Sequence, residues 1–171
     1  MSMFQSTRLE QAWRQVQFAR EYTLSLLADM EPGDWFRQPA EGVTHLAWQV
    51  GHLAMAEYGL LLFRQRGRQP VDSEIMSGKF RKAFSKGTTP DPHPENNPSG
   101  DEILKVFHRV HAQAAEELPR FDDAQLDEPI DMPYAVYPTR LGSVLFCAHH
   151  EMLHAGQIGL LRRLLGKAPV R

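Results

Sequence analysis

Apolar residues fall at helical spacing in four stretches of this chain, and start and stop signals bracket each one. The first opens on Thr7-Arg-Leu-Glu10, a capping-box pattern, and carries Leu9, Trp13, Val16, the Ala19/Arg20 pair and Leu24 in register to about Asp29. "EPGDWFRQPAEG" then breaks it with two prolines and two glycines. The second starts with Thr44 as N-cap, runs through "HLAWQVGHLAMAEYGLLLFRQRG" and stops at Gly67 with arginines in its last turn. The third begins at Ser99-Gly-Asp-Glu102, again a capping box, and aligns Ile103, Val106, Phe107, Val110 and Ala114 as far as Leu118, before Pro119. The fourth runs from Thr139 as N-cap to Leu165, with Gly166 as C-cap and Pro169 beyond.

Residues 68–98 form a long connection whose tail is rich in Pro, Asn and Thr. The pattern predicts one short helix over Ser73–Phe84 and irregular chain after it; connections this long in a small domain tend to be functional or to cross the structure. Residues 119–138 contain Pro129, Pro133 and Pro138 and show no sustained period. No alternating run of β-branched residues occurs. Four helices of roughly 18–28 residues predict an all-α fold: a four-helix bundle with a crossover between its second and third helices.

Composition narrows the function. At 171 residues the chain reads as one domain, residues 1–171, large enough for a real core. It is 42% hydrophobic and 23% charged, ordinary for a globular protein. A formal net charge of −2 gives no basic excess to recruit nucleic acid or an anionic membrane. The opening "MSMFQSTRLEQAWRQ" lacks an apolar targeting core and no stretch is apolar enough to span a bilayer, so a cytoplasmic location is expected. Cys147 is the single cysteine, which excludes an internal disulfide and a multi-cysteine zinc site; it reads as a small core residue.

The candidate chemistry lies in the fourth segment, where His149 to His154 read "HHEMLH" and His150-Glu151-Met152-Leu153-His154 matches the H-E-x-x-H of zinc proteases. Helical residues four apart point within about 40° of each other, so His150 and His154 can converge on one ion. A catalytic zinc needs a third protein ligand and an open position. The chain after His154, "AGQIGLLRRLLGKAPVR", holds no His, Asp, Glu or Cys, so the third ligand must come from an earlier element. His149 lies about 100° around the helix from His150 and cannot join the same ion. His93 sits in a loop and reads as solvated, and His108 and His111 read as polar-face residues of the third helix. His45 and His52, seven apart on the second helix, share a face, and either one facing the fourth helix completes a three-histidine site. A ferritin-like di-iron centre is excluded, because it needs a second Glu-x-x-His and the only pair is Glu151 with His154. On the fourth helix Leu141, Leu145, Ala148, Met152 and Ala155 form one apolar stripe, and Val144, Cys147, Ile158, Leu161 and Leu165 another. The two histidines fall beside the second, which places them in the interior, where metal ligation outweighs satisfied core histidines.

The motifs "HLAWQVGHLAMAE" (45–57) and "HHEMLHAGQIGLLRRLLG" (149–166), with the helix count and the long connection, resemble the DinB/YfiT-like metal-binding four-helix bundles across nearly the whole chain. The resemblance selects His52 over His45, and matches the family's paired ligands to His150 and His154. It implies a divalent metal, zinc or nickel, with water or substrate completing the shell, and members that are thiol-dependent S-transferases or isomerases and homodimers. It implies no DNA binding.

The expected function is therefore a divalent-metal enzyme acting on a small molecule, as a thiol-dependent S-transferase or a related transferase or hydrolase using a low-molecular-weight thiol. The alternatives are a non-enzymatic module in which the ion staples two helices and, less favoured, a peptidase. Glu151 is either a general base or a structural partner. Gln49 and Gln157, each about one turn from a candidate ligand, either orient ligands or fill polar positions. Trp48 and Tyr58 read as core or interface residues.

Overall fold

A computed structural model describes residues 3–170. The architecture is all-helical, with no strand among the described residues. Four long helices dominate: α1 (Thr7–Leu27), α2 (Leu46–Glu57, continued by a π-helical turn over Tyr58–Phe63 and a last turn over Arg64–Arg66), α5 (Gly100–Glu117) and α7 (Arg140–Leu164). Short helices α3 (Asp72–Ile75), α4 (Gly78–Ala83) and α6 (Asp123–Leu126) lie in the connections. The first long helix packs along α7, and α2 packs on both α5 and α7. Trp13 of α1 stacking on His111 of α5, at 4.8 Å, brings the remaining pair together. The shared core holds Leu9, Val16, Val50, Leu53, Ile103, Phe107, Val110, Val144 and Ile158, each almost fully buried.

Several predicted boundaries hold because the chemistry that sets them is local. Ser99 and Glu102 form the reciprocal capping box, and Thr139 caps α7 by accepting from the Gly142 amide. Gly67 and Gly166 end their helices at φ 74° and 87°, a backbone region that side-chain-bearing residues resist.

Other boundaries were decided by distant partners. Ser6, not Thr7, caps α1: its hydroxyl accepts from the Leu9 amide and also donates to Asp123 across the fold. His45, not Thr44, caps α2, its Nδ1 accepting from the Trp48 amide at 3.1 Å, while the Thr44 hydroxyl accepts from Gln49 instead. The predicted helix over Ser73–Phe84 is two helices, because Met76 is extended and Ser77 caps α4 by accepting from the Phe80 amide. The tail of that connection is not wholly irregular, since Pro94–Asn96 form a 3₁₀ turn. Residues 119–138 contain α6, started by a capping box of Asp122 and Gln125 and anchored by fully buried Leu126; four residues are too few to show a period.

At the π turn in α2 the Leu60 carbonyl accepts from Gln65 Nε2 at 3.0 Å and from the Ser143 hydroxyl of α7 at 2.9 Å. Such turns concentrate at functional sites, and here Gly59, Leu60 and Phe63 help wall a cavity that His52 and His150 also line. No helix among the described residues is long and apolar enough to cross a membrane.

Candidate metal site

His52 projects from α2 and His150 and His154 from α7, and one ring nitrogen of each lies within 4.8 Å of the others. Ring centroids are 4.5 to 5.2 Å apart. Among the described residues these form the one such group of His, Cys, Asp or Glu side chains able to hold a metal ion.

The surroundings of the rings fit that use. The Nδ1 of His52 faces the Phe84 carbonyl at 2.8 Å, and the Nδ1 of His154 faces Gln49 Oε1 at 2.5 Å. A carbonyl oxygen only accepts, so both rings carry their proton on Nδ1, leaving an Nε2 lone pair on each. Fixing one ring nitrogen by an acceptor is how metal-binding histidines are usually oriented. Gln49 is itself held, donating through Nε2 to Gln157 Oε1 at 2.8 Å and to Thr44 Oγ1 at 3.1 Å. The two glutamines therefore act together behind His154. Trp48 stacks on the His52 ring at 4.7 Å and nearly parallel, and is tied by its indole N–H to Thr88.

All three imidazoles are biased toward the neutral form that a cation requires. Burial lowers the pKa of His52. Burial and then the neighbouring His52 bring His150 down to about 4, and burial, His150 and His52 bring His154 to about 3. Below the ordinary histidine value of 6.5 the unfolded chain takes up protons that the folded site refuses, so metal-free protein loses stability as pH falls toward 4 and then 3. Urea midpoints measured from pH 7.5 to 4 test this. A His150→Asn, His154→Asn variant should show a shallower fall than wild type, and identical slopes would contradict the assignment.

The cluster is half-buried and opens on a cavity of about 400 Å³. His52 and His150 line one side; Met55, Gly59 and Phe63 from α2, Phe146 from α7, and Lys86 and Tyr134 from the connections complete it. A broader depression of about 780 Å³ on the α1/α7 face, lined by Phe18, His149 and Leu153, includes none of the three ligand candidates.

The other predicted residues lie elsewhere. His45 uses both nitrogens, one in its cap and Nε2 toward the Asp91 carbonyl at 2.9 Å. His149 is exposed on another face, His93 is exposed beside Glu95, and His111 pairs with Glu57 at 2.7 Å. Met152, read as part of an apolar stripe, is 38% exposed, because α7 turns that side to the surface. Buried Tyr58 donates to Asp72 at 2.9 Å. Cys147 is buried, and burial pushes its thiol well above the usual range, as befits a core residue.

Glu151 is 2% exposed, and both its oxygens face the Arg20 guanidinium of α1, at 2.9 and 3.3 Å. Arg20 also binds Glu57 of α2 at 2.5 Å and the Phe107 carbonyl of α5 at 3.1 Å, so one buried cation ties all four long helices together. The sequence carries a faint signal of this network, since Arg20 falls within the apolar register of α1 and Glu57 interrupts an otherwise apolar run in α2, but neither names its partner. The cavity residues Lys86, Tyr134 and Phe146 gave no such signal.

No curated protein matches the chain. The sequence profile of the DinB superfamily matches residues 15–158, a span that includes all three clustered histidines, the whole of α2 and α7 as far as Ile158. The chain belongs to the DinB superfamily.

Proposed function

We propose that this protein is a single-domain DinB-like four-helix bundle that works as a metal-dependent enzyme on a small molecule. His52, His150 and His154 hold the ion, zinc or nickel, and a low-molecular-weight thiol is the transferred or activating group. The observation that supports an enzyme over a helix staple is the cavity. Three histidine nitrogens face one another beside about 400 Å³ of largely apolar space, whereas a structural site closes its shell with four protein ligands. A divalent ion held by these three histidines would supply Lewis acidity, bringing the pKa of a water or thiol bound to it toward neutrality.

The chain's own groups do the rest. The Phe84 carbonyl and Gln49 fix the tautomers of His52 and His154. The walls contributed by Met55, Phe63 and Phe146 present apolar surface on one side of the site. Glu151, committed to Arg20, acts as a structural partner in this reading rather than as the base.

Metal analysis tests the site. Wild type should carry about one equivalent of zinc or nickel, and His52→Ala and His150→Ala should each lose most of it, consistent with removal of one of three ligands. Unchanged content in both variants would sink the site as drawn. For enzyme against staple, cobalt-substituted protein should change its visible spectrum when small thiols are added, and silence across a thiol panel would favour the staple.

A further inference from the structure

The cavity beside the histidines is asymmetric in charge. Its wall holds two cations, Arg64 and Lys86, and no Asp or Glu, in a chain whose formal net charge is −2. The two cations flank Tyr134: the Arg64 guanidinium lies 5.9 Å and the Lys86 ammonium 5.4 Å from its ring centre. Lys86 donates to the Tyr134 hydroxyl at 3.2 Å, and Arg64 uses Nη1 for the carbonyls of Asp131 and Tyr134. Those bonds leave donors on both groups unspent. Arg66, two residues on, is neutralised by Asp72 and Glu117, whereas Arg64 and Lys86 form no ion pair with a carboxylate among the described residues.

Between these cations and the histidines the wall is mostly apolar, built by Met55, Gly59, Leu60, Phe63 and Phe146, with Ser85, its hydroxyl spent on the Arg81 carbonyl, as a polar exception. Phe146 continues the surface from Tyr134, at 6.1 Å, to His150, at 5.9 Å. The chemical order along the cavity is thus nitrogen ligands, apolar wall, cationic rim. A volume of about 400 Å³ lies near the lower end for ligand pockets and suits a small molecule rather than a peptide.

On the reading of this cavity as the substrate pocket, we infer that it takes a small monocarboxylic acid with an apolar body. The reacting end lies at the histidines and the carboxylate at Lys86 and Arg64. The carboxylate accepts the spare donors of the rim as charge-assisted hydrogen bonds, and Tyr134 and Phe146 cover the apolar stem. Lys86 carries most of the selectivity, because Arg64 is already engaged with the 131–134 backbone. The rim is open to solvent, so the discrimination weakens with salt.

The test uses cobalt-substituted full-length protein and two probes of equal length, 6-mercaptohexanoate and 6-mercaptohexan-1-ol. Thiolate ligation is read as a sulfur-to-cobalt charge-transfer band. The acid should bind about tenfold more tightly than the alcohol, the scale of one charge-assisted hydrogen bond. Lys86→Met should bring that ratio close to one, and Lys86→Glu should invert it. Equal affinities in wild type, with the band present for both probes, overturn the carboxylate rim while leaving the metal pocket standing. If no band forms, hexanoate binding followed by calorimetry decides: binding lost in Lys86→Glu upholds the rim and removes the thiol reading. Binding that is absent, or indifferent to Lys86, overturns the rim.

Discussion

Replacing Arg20 by methionine is expected to destabilise the protein by about 3–5 kcal/mol, the usual cost of removing one member of a buried ionic group. The guanidinium is 3% exposed and lies between two carboxylates that are 1% and 2% exposed. It donates to Glu151, Glu57 and the Phe107 carbonyl and lies over the Phe107 ring at 3.4 Å. Without it, two negative groups share an apolar interior with only His111 and local hydroxyls to offset them. In the native protein burial raises both carboxyls, but Arg20 and then His111 outweigh it at Glu57 and hold that group below the ordinary range. At Glu151 burial, helped by the charge of Glu57, prevails and the pKa is raised.

Removing the cation raises both values further in the folded state than in the unfolded one. The folded variant therefore binds protons first on acidification, and its deficit relative to wild type is largest at pH 7 and shrinks as pH falls through the raised carboxyl values. Urea unfolding of wild type and Arg20→Met at pH 7 and pH 5 checks both the size and the sign. Adding Glu57→Gln and Glu151→Gln should recover part of the loss, since no unpaired charge then remains. A single variant within about 1 kcal/mol of wild type, where ordinary surface changes fall, would contradict the network. Glu151 adjoins His150 on α7, so its bond to α1 also fixes the rotation that turns His150 and His154 toward His52.

The second large effect is expected at Gly51. A Cβ there would lie 2.5 to 2.6 Å from three ring atoms of Phe84, a residue 1% exposed. Gly51→Ala therefore forces Phe84 to move, at a cost of about 1–3 kcal/mol for overpacking a filled core. The displacement reaches the site, because the Phe84 carbonyl accepts from His52 Nδ1 at 2.8 Å and sets which nitrogen faces the other two histidines. Loss of such an orienting partner typically lowers metal affinity about 10–100-fold. Zinc titration against a competing chelator measures it, alongside a urea midpoint. Gly59→Ala on the same helix, where an added Cβ meets nothing within 4 Å, is the control. Equal zinc affinity in Gly51→Ala and wild type would separate Phe84 from the site.

The paired histidines of α7 were legible because their convergence is a property of one helix: residues four apart share a face wherever that helix packs. The need for an upstream third ligand was equally legible, from the empty inventory after His154. The choice between His45 and His52 was not settled by spacing. Seven residues apart, they share a helical face only if both are in the helix, and His45 is its N-cap, with extended backbone and both ring nitrogens engaged. The role of Glu151 was undecided for a similar reason, since its partner lies 131 positions away on another helix.

What the sequence by itself determined was the set of long helices, most of their ends, and half of the histidine site, all of which rest on interactions within a few residues. What only the tertiary structure decided was the approach of His52, the Arg20 network, the π turn secured by Ser143, and the cavity walled by Phe146, Tyr134 and Lys86. Each of these depends on which faces of distant segments meet. That is set by the joint packing of one core, which no local spacing records.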